Sequence, residues 1–190
     1  NDSPRYSHTH CQVAHQLKER AIKTKINMYI EKITKYLQGI SVAENYNWDI
    51  PFDKGHGDEI FSQKDRLSFR DLTNFQSNVH LKTLISEKII NAKEQNETDF
   101  LKNIFEWIVH DWGRIRNGRK NIDKFYKLAT EAITNENLTF ERIASTSKVL
   151  SFYKPTDYII YDSRIAYSLN AIMLLVDASK KYFPVPQGTN

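Results

Sequence analysis

Two side chains of opposite charge, Lys148 and Asp162, lie 14 residues apart, and each is predicted to stand at the start of a helix. A neutral lysine amine is a nucleophile, and a carboxylate stabilises positive charge that develops beside it. Partial burial next to Arg164 would lower the pKa of the lysine and favour its neutral form. Both residues also have simpler uses, because aspartate is a favoured helix N-cap and a lysine at a helix start contacts phosphate or water.

The segment around this pair is predicted to form two helices joined by a tight turn, then a linker and a third helix. Residues 139–144 form the first short helix, with Thr139 as its N-cap. The small polar residues of the predicted turn are Ser145, Thr146 and Ser147. Pro155 ends the second helix, because the residue before a proline is pushed out of the helical region. The apolar run 158–161 must then be buried, and Asp162 caps the third helix.

Two helices joined by such a turn can present backbone N–H groups to one phosphate of a nucleic acid. With a lysine just after the turn and an aspartate at the next helix start, residues 121–170 resemble the helix-hairpin-helix DNA glycosylases. The resemblance is greatest to the 8-oxoguanine glycosylase-like branch and its small bacterial members. It implies a two-lobed, all-α fold in which Lys148 attacks the sugar and Asp162 assists departure of the base. It also implies that the turn and Arg164 contact DNA.

A glycosylase flips its target nucleotide out of the duplex, which costs a few kcal/mol of unstacking, and holds the base in a pocket. Attack by the lysine amine would form a Schiff base with the sugar and permit strand nicking. Without this attack, the enzyme would release the base and leave an abasic site. The resemblance implies an oxidised guanine as the substrate, with a hypermodified base of phage DNA, and so a role in anti-phage defence, as the alternative.

A second group of candidate DNA contacts follows Gly113, which is predicted to end a strongly apolar helix. Four cations lie within the next seven residues, namely Arg114, Arg116, Arg119 and Lys120. Arginines on flexible backbone near a tryptophan suit phosphate contact and base stacking. A solvated loop, with the nearby tryptophans packed in the core, is an equal alternative. The candidates for the walls of the base pocket are Trp107, Trp112, Phe152 and Tyr161, and core packing is the alternative for Phe152 above all.

The composition predicts a folded, mostly helical protein. Hydrophobic residues make up 40% of the 190 residues and aromatic residues 12%, which is enough for a core. This length suits a single helical domain over residues 1–190, or two small lobes around a cleft. A net charge of +4 and a pI of about 9.0 fit a polyanionic partner without requiring one.

Metal, cofactor and membrane functions find little support in the sequence. His8, His10, Cys11 and His15 match no zinc pattern, and neither a Gly-rich phosphate loop nor a metal-ligand cluster is present. Cys11 is the single cysteine, which fits a reducing compartment. No apolar run approaches the ~20 residues that span a bilayer, and no signal-peptide pattern occurs. We therefore expect a soluble cytoplasmic protein without a metal or cofactor.

Three kinds of function remain open. The first is a DNA glycosylase whose partner is double-stranded DNA with a damaged or modified base. The second is a non-catalytic helix-hairpin-helix module, whose salt-dependent DNA binding would survive Asp162→Asn without forming an abasic site. The third is a helical protein-interaction domain, which would show little salt-dependent DNA binding. The order of the hairpin, lysine and aspartate favours the glycosylase.

Overall fold

The computed structural model describes residues 27–28, 30–115, 122–135, 140–177 and 182–186. Within these ranges the chain is mostly helical and has no β-strand, which confirms the predicted all-α class. Contacts between residues divide the chain into two units, 1–41 with 169–182 and 42–168 with 183–190. The single domain and the glycosylase-like pair of lobes stay predictions. None of the helices in the described ranges is both long and apolar enough to cross a membrane.

The smaller unit contains a helix, α1, described over residues 27–28 and 30–38. Gly39 follows its last residue, and its backbone N–H donates to the carbonyl of Tyr36. Helix α1 therefore ends before Gly39. The same unit includes the carboxyl-terminal part of the last helix, from residue 169 onwards.

The remaining helices begin in the larger unit. In chain order they are α2 Val42–Asn45, α3 Gly57–Ile60, α4 Gln63–Leu67, α5 Asn74–Glu94, α6 Thr98–Glu106, a π-helical segment Trp107–Trp112, α7 Ile122–Asn135, α8 Ile143–Tyr153 and α9 Ser163–Asp177. The core of this unit is built around α8, which packs against α5, α7 and the π-helical segment.

Helix α5 is the longest described helix of the larger unit and supplies one wall of its core. Thr73 caps it in a reciprocal pair with Gln76, in which each side chain accepts a hydrogen bond from the other residue's backbone N–H. Leu81, Ile85 and Ile89 follow one another at four-residue spacing and are completely buried. This spacing keeps them on one face of the helix, which therefore packs on the core.

The π-helical segment continues α6 with wider turns. Gly113 N–H donates to the Ile108 carbonyl five residues earlier, at 2.8 Å, and Gly113 follows the last helical residue as predicted. In an α-helix, residues five apart point about 140° away from each other. The wider turn brings Trp107 and Trp112 closer to one face, and both indoles are buried.

The predicted turn at Ser145, Thr146 and Ser147 is wrong, because these residues lie inside α8. The chain enters α8 through Arg142, whose φ of 51° is left-handed, and Lys148 is the sixth residue of the helix. The small hydroxyls find partners that keep the helix intact. Thr146 Oγ1 donates to the Arg142 carbonyl one turn earlier, and Ser147 bonds to the backbone of Tyr161. Thr139, the predicted N-cap, is outside the described residues.

The run 158–161 lies outside the helices and is mostly half-buried, so the prediction that it must be buried is wrong. Ile159 is 72% exposed, while Tyr158, Ile160 and Tyr161 are partly covered. The segment links α8 to α9 across the surface of the core. Helix α8 ends at Tyr153, before Pro155, as the proline predicts.

Candidate functional site

Lys148 and Asp162 form a buried ion pair. Lys148 Nζ lies 3.0 Å from Asp162 Oδ2, and the two residues are 2% and 7% exposed. The Ala144 carbonyl, one turn earlier in α8, accepts a second hydrogen bond from Nζ at 3.1 Å. Helix α8 supplies the lysine from inside the core, and the chain that enters α9 supplies the aspartate. The two residues that the sequence singles out for chemistry are thus in direct contact.

Asp162 is the N-cap of α9, as predicted. Its Oδ1 accepts from Ile165 N–H at 3.1 Å, and its Oδ2 accepts from Arg164 Nη2 at 2.9 Å as well as from Lys148. Burial acts to raise the pKa of this carboxyl. The hydrogen bond and charge of Lys148, with the bonds from Arg164 and Ile165, outweigh burial and lower the pKa of Asp162 to about 2. The carboxylate is therefore ionised at neutral pH.

Burial lowers the pKa of Lys148, because the charged amine is taken out of water. The hydrogen bond and charge of Asp162 oppose this shift, whereas the positive charge of Arg164 adds to it. The pKa of Lys148 stays below its ordinary value, so this amine loses its proton more easily than the amine of an exposed lysine does. This is the property that a lysine nucleophile requires.

Two arginines lie close to the ring of Trp48. Trp48 was not among the site residues that the sequence predicts. The guanidinium carbon of Arg114 lies 4.3 Å from the centroid of the indole ring, and that of Arg164 lies 5.3 Å from it. Arg114 adopts a left-handed φ of 54°, which for a residue other than glycine costs about 1–3 kcal/mol. One strained arginine and the arginine that contacts Asp162 therefore both lie close to one indole ring.

A closed set of hydrogen bonds fixes this surface. Trp48 Nε1 donates to the Trp112 carbonyl at 3.1 Å, Trp112 Nε1 donates to Asn78 Oδ1 at 2.9 Å, and Asn78 Nδ2 donates back to the Trp48 carbonyl at 2.7 Å. The Trp112 ring also packs edge-on against Phe152, with ring centroids 4.8 Å apart. These hydrogen bonds join the loop at Trp48, helix α5 and the π-helical segment beside α8.

Gly113 leaves the space that the stem of Lys148 occupies. A β-carbon on Gly113 would stand 2.9 Å from Lys148 Cδ and 2.7 Å from the carbonyl oxygens of Ile108 and Val109. Contacts of this length do not occur in relaxed structures, and two of them involve backbone that cannot move aside easily. The absence of a side chain at Gly113 thus allows the lysine stem to pass the end of the π-helical segment.

Ser147 holds the segment that carries Asp162. Its Oγ accepts from Tyr161 N–H at 2.9 Å and lies 3.4 Å from the Tyr161 carbonyl, to which it donates. Tyr161 in turn donates its hydroxyl proton to the Pro184 carbonyl. Because Tyr161 immediately precedes Asp162, these bonds set the position of the carboxylate relative to α8.

A cavity of about 570 Å³ opens next to Arg114. Besides Arg114, its lining residues are Asp49, Ile50, Pro51, Asp53, Lys54, His110 and Asp111. These residues come from the loop after Trp48 and from the end of the π-helical segment. The first stretch follows the ring that both arginines approach, and the second precedes Arg114. No local sequence pattern marks this cavity, because its walls come from stretches that are far apart along the chain.

The other predicted site residues occupy different positions. Trp107 and Phe152 are fully buried and Trp112 is 5% exposed, which agrees with the alternative that these residues pack in the core. Tyr161 is half-buried. Ser145 is half-buried within α8. Arg116, Arg119 and Lys120 lie outside the described residues, as do His8, His10, Cys11 and His15. Within the described ranges, no three His, Cys, Asp or Glu side chains are grouped so that they could hold a metal ion.

Comparison of the chain with models of protein families, with curated proteins and with solved structures finds no match. The functional argument therefore rests on the geometry of this site.

Gly113→Ala tests whether the lysine needs this gap. We expect the substitution to lower the free energy of unfolding by about 1–3 kcal/mol, because the added methyl overpacks the contact with Lys148 and two carbonyls. Urea denaturation followed by circular dichroism measures it. Gly39→Ala is the matched control, since its β-carbon would meet its nearest neighbour at an ordinary 3.7 Å. Equal stabilities of the two variants would show that the gap is not required.

The low pKa of Asp162 predicts a contribution to stability that disappears in acid. A carboxyl whose pKa folding lowers stabilises the folded state above its unfolded pKa of about 3.9. That contribution is lost as the pH falls through about 2. In a ¹³C NMR titration, we expect the Asp162 carboxyl signal to stay unchanged from neutral pH down to about pH 3, and to titrate higher in Lys148→Met. A midpoint near the ordinary value in the wild type would contradict the buried pair.

Proposed function

We propose that the protein is a DNA glycosylase that flips a damaged or modified base out of DNA and cleaves its N-glycosidic bond. The observation that carries this proposal is the contact of 3.0 Å between Lys148 and Asp162. It joins an amine with a lowered pKa to a carboxylate that is ionised at neutral pH. A nucleophile and an anion in contact are the two groups that cleavage of a glycosidic bond at a lysine requires.

Asp162 would stabilise the transition state. As the bond between sugar and base breaks, positive charge builds on the sugar ring, and a carboxylate held close to it lowers the energy of that charge. The low pKa of Asp162 suits this role, since a protonated carboxyl would supply no negative charge. Its fixed place as the N-cap of α9 means that little reorganisation is needed during the reaction.

Lys148 would supply the nucleophile. Its neutral amine attacks C1′ of the sugar while the bonding electrons leave with the base, which takes up a proton from water. The attached amine loses a proton, and its lone pair then opens the sugar ring. The bonding electrons leave with the ring oxygen, which takes up a proton from water, and a protonated Schiff base joins Lys148 to C1′. Water then hydrolyses the Schiff base, which frees the lysine and leaves an abasic site.

Helices α7 and α8 would form the hairpin that anchors DNA. They pack against each other, and the chain between them passes through residues 136–142. The proposed hairpin therefore differs from the one with a turn at residues 145–147 that the sequence predicted. The amino end of α8 is the positive end of the helix dipole, which favours a phosphate. The backbone N–H groups of Ile143 and Ser145 already donate to the carbonyls of Phe140 and Arg142.

The cavity beside Arg114 is our candidate pocket for the extruded base. Its carboxylates can accept hydrogen bonds from amino groups on a base, and Arg114 can donate to a carbonyl or a ring nitrogen. The candidate substrates are an oxidised guanine and a hypermodified base of phage DNA. The second would give the enzyme a role in anti-phage defence rather than repair.

A non-catalytic DNA-binding module is the second candidate. The observation that favours it is the burial of the pair, since Lys148 is only 2% exposed and its amine already has two acceptors. A buried ion pair of this kind can join α8 to α9 without any chemistry. The module would bind DNA in a salt-dependent manner and form no abasic sites.

Base release by Asp162→Asn separates the two candidates. Asparagine is also a good N-cap, so the substitution removes the charge while keeping the helix start. We expect the wild type to release a base from duplexes that carry 8-oxoguanine or glucosylated hydroxymethylcytosine, or from modified phage DNA. The variant should be about 10²–10³-fold slower, which is typical for loss of an electrostatic contact at a transition state. Tight binding by the wild type with no abasic product on any substrate would favour the non-catalytic module.

Borohydride trapping tests the lysine. Reduction of a Schiff base fixes the protein to DNA, so the wild type should form a covalent complex that migrates slowly in a denaturing gel. Lys148→Gln should form none, and Lys82→Gln, which removes a partly buried lysine of α5, should trap as the wild type does. Trapping by Lys148→Gln would assign the nucleophile to another amine. Base release without trapping in the wild type would leave Asp162 acting on a water molecule.

A further inference from the structure

The described structure brings two guanidinium groups from separate elements to one aromatic ring. Arg114 follows the π-helical segment, Arg164 lies in the first turn of α9, and both are exposed to solvent. Their guanidinium carbons lie 4.3 Å and 5.3 Å from the centroid of the Trp48 ring. The hydrogen bonds among Trp48, Trp112 and Asn78 hold that ring in place. Two like charges held close to one ring repel each other, and an anion placed beside them would relieve that repulsion.

The charges around this ring are unbalanced in a way that also favours an anion. Asp162 is the carboxylate bonded to Arg164, and it is shared with Lys148. Arg114 forms no ion pair with the described residues, and its strained backbone keeps it at the Trp48 ring. Asp49, Asp53 and Asp111 line the cavity that Arg114 also lines, so they offset part of its charge from that side.

We propose that Arg114 and Arg164, both beside the Trp48 ring, bind one phosphate of a nucleic-acid backbone beside the nucleotide on which Lys148 and Asp162 act. The site rests on the proposed glycosylase function, which it deepens by assigning the residues that position the target. Guanidinium groups match the oxygens of a phosphodiester with two parallel hydrogen bonds each, which a lysine ammonium does not. Both guanidinium groups lie close to the indole ring, and one N–H of Arg164 already donates to Asp162.

Binding at this site also acts on the reactive pair. Asp162 Oδ2 accepts hydrogen bonds from both Lys148 and Arg164 in the present structure, and Oδ1 accepts from the helix backbone. A phosphate that draws Arg164 toward itself leaves Oδ2 with Lys148 alone. One side of the carboxylate then becomes available to the sugar when the target nucleotide is bound. Arg164 is thus a positioning residue, because its binding to the DNA phosphate changes the hydrogen bonds that Asp162 accepts.

The test measures DNA affinity as a function of salt. The probe is a duplex with an uncleavable tetrahydrofuran abasic analogue, followed by fluorescence anisotropy, for the wild type, Arg114→Gln, Arg164→Gln and the double variant. Lys64→Gln, which removes an exposed charge from α4, is the matched control. Each phosphate that a protein neutralises contributes about 0.9 to the slope of log K against log salt on duplex DNA.

If both arginines bind the same phosphate, each single variant weakens binding about 10-fold and the double variant is little weaker than either. The double variant then lowers the salt slope by about 0.9, whereas the loss of two separate phosphates would lower it by about twice as much. Additive losses with the larger change in slope would overturn the shared site. Binding by Arg114→Gln equal to that of the Lys64→Gln control would overturn it too, independently of any disturbance that Arg164→Gln causes around Asp162.

Two further arms separate this site from its alternatives. Inorganic phosphate at matched ionic strength should displace DNA no better than chloride does, and displacement at low millimolar phosphate would instead assign the site to a free anion. A wild type that binds the duplex with the expected arginine dependence but releases no base would overturn the glycosylase and keep the phosphate site. A wild type that does not bind DNA would overturn both.

Discussion

The ion pair between Lys148 and Asp162 is the interaction that the rest of the larger unit has to accommodate. Moving two charges out of water costs several kcal/mol per ion, even after the protein relaxes. The contact of 3.0 Å recovers part of this energy, and the Ala144 carbonyl, the Ile165 N–H and Arg164 satisfy further donors and acceptors. An apolar pair of similar volume would be as stable or more so. Stability alone therefore gives little reason for charged residues here, which supports a chemical role for them.

The surrounding elements make room for this pair in two ways. Gly113 has no side chain where the lysine stem passes, and the π-helical segment that it ends brings Trp112 against Phe152 of α8. On the aspartate side, Ser147 fixes the backbone of Tyr161, so the α9 cap is held at a set distance from α8. The π-helical segment is therefore part of the construction of the site. Segments of this kind are frequent at functional sites.

Local rules were enough to predict part of this arrangement. The cap at Asp162, the end of α8 before Pro155 and the stop at Gly113 each depend on one residue and its immediate neighbours, and all three are confirmed. The predicted turn at residues 145–147 failed because serine and threonine favour turns only while their hydroxyls lack other partners. Here Ser147 bonds to Tyr161, which is 14 residues away along the chain. That contact exists only in the folded protein, so the local sequence could not reveal it.

The role of the Trp48 ring was not predicted for the same reason, because its contacts join residues that are even further apart in the sequence. Trp48, Asn78 and Trp112 are joined by hydrogen bonds across 30 to 64 residues of sequence. Nothing in the neighbourhood of Trp48 marks it as a platform for arginines. The sequence did place Arg114 and Arg164 among the candidate DNA contacts, since their charge and their position beside helix ends are local features. What it could not supply was the ring that brings the two together.

A chemical role for the Lys148–Asp162 pair requires that a substrate can reach it, whereas a purely structural role does not. The Lys148 side and the Asp162 side of the pair differ in how easily their surroundings can move. Lys148 belongs to a helix whose neighbouring residues Val149, Leu150 and Phe152 are almost completely buried, so movement of α8 would disrupt the core. Asp162 lies at the end of the non-helical segment between α8 and α9. This segment has an exposed Ile159 and is held by Ser147 and by the bond from Tyr161 to Pro184. Arg164, its third contact, is largely exposed. In the proposed glycosylase, a sugar would reach the amine from the side of Asp162, where Arg164 is the contact that a bound backbone phosphate can attract.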